Sequence, residues 1–208
     1  MAETLLPLFP LKVVLFPDTA LPLHIFEERY KEMMGEVIDA NGEFGVLCGN
    51  ENTVADVGCS ARVAREIRRY DDGRMDVLTI GRRRFRIDRL QRDRAFLQGT
   101  VSFFTDEPAD ERQELKTRCL HLFQDLYEST PGHLPVAELE QVSTEVVSYY
   151  ISYYSDLPLA KKQSLLELTS AEQRLLDAEE ALKERMLAQG DDRERRRILR
   201  GNGHFPRE

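Results

Sequence analysis

The first apolar run of the chain, Leu6-Pro-Leu-Phe-Pro-Leu-Lys-Val-Val-Leu-Phe-Pro-Asp-Thr-Ala-Leu-Pro-Leu-His-Ile-Phe26, is interrupted by Pro10, Pro17 and Pro22. Proline lacks the N–H that a helix interior or a sheet ladder needs, so this run cannot be helical and any strand in it is confined to an edge, a bulge or a strand start. Residues 5–16 and 20–26 read as two such strands. The pattern then changes: Tyr30, Met33, Met34, Val37 and Ile38 recur at helical spacing, which predicts a helix over 27–39 stopped by Asn41-Gly42.

Strand signals resume at Glu43 to Cys48 and, after a polar loop, at Val57, where Val57, Cys59, Ala61 and Val63 alternate and the run continues to Tyr70. Asp71-Asp72-Gly73 is a hairpin turn, because Asp-Gly tolerates positive φ. The return strand covers Met75–Ile87 with Gly81 as a bulge, and a further strand covers 94–104. Strands joined by tight turns with one helix among them predict a small closed or half-closed barrel over residues 1–108.

Beyond Thr105-Asp-Glu-Pro-Ala-Asp110 the signals are helical. Leu115, Cys119, Leu122, Phe123 and Leu126 form one stripe in a helix from Glu111 to Glu128. Leu139, Val142, Val146, Tyr149, Tyr150 and Tyr153 form another in a helix from Val136 to Ser155. Pro131-Gly132 separates the two, a turn follows at 159–167, and Ser170 with Gln173 resembles a capping box for a last helix that Gly190 ends. The expected fold class is α+β: a barrel over 1–108, a helical subdomain over 109–190 and a charged, disordered tail over 191–208.

The net charge of −8 is unevenly spread. Residues 61–95 hold 12 basic and 6 acidic side chains, an arginine-dense island in an acidic chain that as a whole repels nucleic acid. Cys48, Cys59 and Cys119 are odd in number and widely spaced, which fits reduced, buried thiols better than disulfides or zinc. His24, His121, His133 and His204 show no metal-binding spacing, and no cofactor is expected. There is no G-x-S-x-G elbow, and none of the lysines follows a glycine as a phosphate-binding loop requires. No apolar stretch approaches the roughly 18 residues of a membrane span, and the N-terminus lacks the basic region of a signal peptide, so a cytosolic protein is expected.

Three segments carry a family resemblance. The proline-punctuated opening, the pair Val57-Gly58 with Ala61 and Gly81-Arg-Arg-Arg84-Phe-Arg-Ile87, and Leu157-Pro-Leu-Ala-Lys-Lys-Gln-Ser-Leu-Leu-Glu-Leu-Thr-Ser-Ala-Glu-Gln-Arg-Leu-Leu176 occur in order over residues 5–188. Together they resemble the substrate-binding N-terminal domain of Lon-type ATP-dependent proteases, read as a stand-alone copy without the ATPase and peptidase modules. The resemblance implies a PUA-like barrel, similar to that of RNA-modifying enzymes, and non-covalent recognition of unfolded or regulatory protein clients. It points to an adaptor, a client-holding factor or a partner of a Lon protease rather than to an enzyme.

Candidate contacts are then few. Tyr30 and Arg29 either anchor a peptide or form a strand-to-helix joint, since aromatic and arginine side chains dominate binding hot spots. Tyr149 and Tyr153 share one helix face and Tyr150 and Tyr154 another, so one pair, taken as Tyr150 and Tyr154, is expected to be partly exposed and available to unfolded peptide. His24 reads as a strand histidine satisfied locally or as a ligand-facing group. The alternative function is RNA or DNA binding through the 62–89 hairpin, where Arg82, Arg84 and Arg86 alternate onto one strand face.

Overall fold

The computed structural model describes residues 4–50, 52–127 and 136–201, with side chains as far as 188. The expected break at Pro131-Gly132, His133 and His204 lie outside the described residues.

Six strands form one mixed sheet: β1 (Thr4–Leu11), β2 (Ala20–Ile25), β3 (Phe44–Cys48), β4 (Val57–Arg69), β5 (Met75–Gln91) and β6 (Leu97–Phe104). Their order is β2-β5-β4-β3-β1-β6, and β5 also pairs with β6. The sheet therefore closes through β5, with β2 outside the ring on the first half of that strand. Only the β1–β3 pairing is parallel. Helix α1 (Glu28–Asp39) packs Tyr30, Met33, Met34 and Val37 against the sheet face that carries Phe9, Phe44, Val46, Cys59 and Val77.

The prolines sit where they cost least. β1 lies between two neighbours, yet its first half, Thr4 to Leu8, pairs only with β6 and its second half, Leu8 to Leu11, only with β3. Each half behaves as an edge, so Pro7 and Pro10 withhold an N–H from one ladder at most. The expected single strand over 5–16 ends at Leu11, and Pro17 falls in the loop before β2.

Two glycines mark close approaches. A Cβ on Gly58 would lie 2.5 Å from the Val46 carbonyl and 2.7 Å from the Phe85 ring, and one on Gly81 would lie 2.1 Å from the Phe16 carbonyl. At Gly81 the loop before β2 is pinned to β5, with Asp18 N–H donating to the Gly81 carbonyl at 3.0 Å.

The second layer is helical: α2 (Gln113–Tyr127), α3 (Val136–Leu139), α4 (Thr144–Tyr154), α5 (Leu159–Glu167) and α6 (Ala171–Gly201). The single helix expected over 136–155 is split, because the Ser143 hydroxyl accepts from Val146 N–H and caps a fresh start at Thr144. The turn expected at 159–167 is helix α5, which opens after Pro158 and buries Leu165 and Leu166. The capping box at α6 is half formed. Ser170 Oγ accepts from Gln173 N–H at 3.2 Å, but the Gln173 amide turns to Asp177. α6 runs past Gly190 to Gly201 instead of stopping. One glycine in a helix costs only about 1 kcal/mol, and the arginines and the glutamate of 193–197 are good helix formers.

Four packed clusters result. One packs α1 on the sheet, one lies within the ring between β1, β3, β5 and β6, and one lies among α2, α4 and α6. The fourth, with Phe16, Val57, Tyr149, Leu165 and Leu166, cements the helices to the barrel. Among the described residues no helix is long and apolar enough to cross a membrane.

Candidate functional site

Two arginines that carry the family resemblance meet at the junction of the two layers. Arg84 of β5 is 1% exposed and Arg174 of α6 is 0% exposed. Arg174 grips both oxygens of Asp106, at 2.9 Å and 2.6 Å, and donates to Ser148 Oγ and to the carbonyls of Leu165 and Leu168. Arg84 donates to the same carboxylate and to the carbonyls of Leu166 and Leu168. The C-terminal end of α5 leaves these carbonyls unpaired, so the guanidiniums complete it. Nearby, Gln163 of α5 donates to the Val57 carbonyl of β4 at 3.1 Å.

Tyr149 of α4 lies beneath both cations, its ring centre 4.2 Å from the Arg174 guanidinium and 5.3 Å from that of Arg84. Its hydroxyl donates to Glu145 at 3.0 Å. Burial pushes the Tyr149 phenol up and the Arg174 guanidinium down from their ordinary ranges. With two guanidiniums against one buried carboxylate, a neutral phenol between them and Glu145 at the edge, the cluster is a structural lock. Both guanidiniums are spent on carboxylate and carbonyl acceptors.

Above the lock is a cleft of about 270 Å³ whose walls come from both layers: Pro17 and Asp18 from the loop before β2, Arg82 and Arg83 from β5, Phe103 and Phe104 from β6, and Glu145, Val146 and Tyr149 from α4. This is at the small end of ligand pockets, with room for one large side chain rather than a whole cofactor. The phenylalanine faces are partly capped, by the Arg83 guanidinium 3.7 Å from the Phe103 ring centre and that of Arg84 4.6 Å from Phe104. Arg83 also pairs with Glu43 at 3.1 Å. Arg82 makes no ion pair among the described residues. A larger groove of about 520 Å³ lies between Asp156–Lys161 and α6. Both its cations are already paired, Arg185 with Asp156 and Lys161 with Asp177, and it touches only the helical layer.

The expected site residues are placed otherwise. Arg82, Arg84 and Arg86 do not form one open face: between Cys59–Arg84 and Ala61–Gly81 the register slips by one residue, a bulge that breaks the alternation between Arg82 and Arg84, and of the pair that still alternates Arg84 is covered by the end of α5 while Arg86 stays exposed. Arg84, fully engaged, is not a phosphate contact. Tyr150 is 7% exposed and packs on Phe123, with ring centres 5.8 Å apart. Tyr154 is half-buried against Tyr150 at 4.5 Å. The expected exposed tyrosine pair is corrected: α4 is sandwiched, with Tyr149 and Tyr153 turned to the barrel and Tyr150 and Tyr154 to the helical core. The Tyr153 hydroxyl reaches the Ala20 carbonyl at 2.9 Å. Tyr30 is 6% exposed against Phe9, ring centres 4.2 Å apart, and Arg29 pairs with Glu27, which is the joint rather than an open anchor. His24 faces Asp76 across the strands, Nδ1 to Oδ1 2.6 Å, and with the Tyr70 hydroxyl holds that carboxyl below its ordinary range.

Asp106, Phe103, Phe104 and Glu145 were not singled out by the sequence. Asp106 sits in the segment where composition changes, and a linker carboxylate looks like solvation until its two arginines are seen. The usable signal was that Arg84 and Arg174 both fall at fixed points of the family pattern without a stated role.

A barrel and a helical layer, locked by a buried ion cluster and sharing an open cleft at the seam, make an α+β domain. Residues 5–184 match the family model described as the ATP-dependent protease La (LON) substrate-binding domain, and the chain belongs to that family. It is similar to a Lon protease of Cytophaga hutchinsonii, 25% identical over 190 residues that cover 82% of this chain and 23% of that protein. It is also similar to Lon protease 1 of Bdellovibrio bacteriovorus, 27% identical over 204 residues covering 88% of this chain and 25% of the other. The chain thus spans about a quarter of the length of these relatives. Among solved structures, a Lon N-terminal domain protein from Xanthomonas campestris superposes with a TM-score of 0.66 at 27% identity, covering 89% of this chain and 98% of that one. The N-terminal domain of a Mycobacterium avium complex Lon protease gives 0.70 at 16% identity, covering 86% and 98%, a likeness of fold.

Proposed function

We propose that the chain binds unfolded or regulatory protein clients in the seam cleft and acts in protein quality control as an adaptor or client-holding factor, in partnership with a Lon protease. The observation that carries this reading is the cleft itself: apolar walls from Phe103, Phe104 and Val146, beside Arg82, on a base that the lock holds rigid. A preformed site binds a flexible segment without also having to order its own walls. Nothing in the cleft is placed to activate a nucleophile or shuttle a proton, which supports binding without chemistry.

The test is fluorescence anisotropy with a labelled, reduced and unfolded polypeptide, comparing the protein with Val146→Arg, which fills the cleft from the α4 side. Salt-tolerant binding that Val146→Arg weakens at least tenfold supports the reading. Equal binding by both proteins, or none by either, removes the cleft from it. Degradation of the same polypeptide by a Lon protease with and without the protein then separates an adaptor from a holding factor.

A further inference from the structure

The outer face of the β2–β5–β4 sheet continues from the rim of the cleft. The register places Pro22 opposite Leu78, Ala20 opposite Ile80, and Arg62 and Arg65 of β4 opposite Ile80 and Leu78. The alternate residues Val77 and Thr79 point inward and are 0% exposed, so Pro22, Leu78, Ile80, Arg62 and Arg65 share the outward face. Its centre is apolar and its β4 margin is cationic. Among the described residues no carboxylate lies within ion-pair distance of Arg62, Arg65 or Arg82. Elsewhere on the barrel Arg69, Arg74, Arg83 and Arg94 each have one. Unpaired guanidiniums thus line a path from the hairpin to the cleft in a chain of net charge −8.

We infer that this face binds the acidic flank of a polypeptide whose apolar side chain occupies the cleft, so that the client class is an apolar anchor followed by aspartates or glutamates in extended chain. The inference rests on the cleft reading above. Charge complementarity and continuity with the cleft carry it: the apolar strip accepts backbone and small side chains, and Arg62 and Arg65 present bidentate donors to carboxylates. A polypeptide fits better than a nucleic acid. The Tyr70 ring is already flanked by the Arg68 and Arg74 guanidiniums at 4.5 Å and 5.0 Å, leaving no ladder of free rings for bases to stack on.

The experiment uses three fluorescein-labelled peptides, Phe-Gly-Asp-Gly-Asp-Gly-Asp, the same with serine in place of aspartate, and the aspartate flank without phenylalanine, together with a single-stranded RNA. Each is titrated against the protein and an Arg62→Glu/Arg65→Glu variant whose folding is checked by circular dichroism. The acidic-flank peptide should bind about tenfold tighter than the serine peptide, a factor of about three per exposed charge pair. The double variant and raised salt should both abolish that difference while leaving the serine peptide unchanged. Equal affinity for the two anchored peptides overturns the inference and leaves the cleft reading standing. Binding of the flank alone, with none by the serine peptide, overturns the cleft reading and retains the acidic face. No binding by any peptide overturns both, and RNA binding lost in the variant while peptide binding persists makes the face a nucleic-acid surface and overturns the inference.

Discussion

Arg84 and Arg174 share one carboxylate: a strand of the barrel and the last helix both close on Asp106, in the segment that joins the two layers. The three side chains are between 0% and 7% exposed. Water contributes little there, and the geometry has to satisfy the charges by itself.

Replacing Asp106 with asparagine leaves two buried guanidiniums facing a neutral amide. Breaking a buried pair from one side costs about 3–5 kcal/mol. Urea denaturation of D106N should show a loss of that order with an unchanged m-value. A loss below about 1 kcal/mol would mean that the carbonyls of α5, rather than the carboxylate, hold the seam.

The three arginines of the β5 pattern should separate by stability. R84Q gives up bonds to two α5 carbonyls and to Asp106 and should lose about 2–4 kcal/mol. R82Q and R86Q, both exposed, should stay within about 0.5 kcal/mol of the parent. Melting temperatures of the three variants check this, and equal values would contradict the engagement of Arg84 by α5 and Asp106.

Glu111 accepts from the Thr144 backbone N–H at 3.1 Å and from its hydroxyl, and these bonds hold its carboxyl below the ordinary value of 4.5. A carboxylate with a lowered folded pKa contributes stability that is fully present above its unfolded value and is lost as pH falls through the folded one. Melting temperature should therefore drop below about pH 4.5, and E111Q should show a shallower drop on that acid limb. Parallel acid limbs for the two proteins would show that Glu111 is not a linked group.

Burial pushes the Cys59 thiol up, the Cys119 thiol up to about 12, and the half-buried Cys48 thiol up as well. Few thiolates form at pH 8, so a thiol reagent should label Cys48 slowly and Cys59 and Cys119 only on unfolding. Mass spectrometry after native labelling reads this directly. Early modification of Cys119 would indicate that the α2–α6 contact opens.

Much of the barrel was legible because its signals are local. The Asp-Gly turn, the alternation from Val57 and the helical spacing around Met33 each report on neighbours in sequence, and each element formed within a few residues of its expected place. The arginine face was not legible, because sequence alternation carries no mark of the slip between Arg82 and Arg84, and the cover that buries Arg84 but not Arg86 comes from a helix some 80 residues away. The tyrosine faces of α4 were read with the right pairing. Which pair would be covered depended on two further layers, and helical spacing cannot say that both sides of a helix are packed. Asp106 is the clearest case: its importance lies in two partners distant in sequence.

The pairing of β1 with both β3 and β6 has a consequence during synthesis. The strand leaves the ribosome before either partner, and the later one, ending at Phe104, follows almost a whole barrel behind, roughly 5–20 s at ~5–20 residues per second. Through that interval the first half of the strand, with Leu5 and Leu6, is translated and without its partner. Pro7 and Pro10 then guard the nascent chain, since a strand that lacks these amide donors is a poor template for its counterpart on the next polypeptide of a polysome.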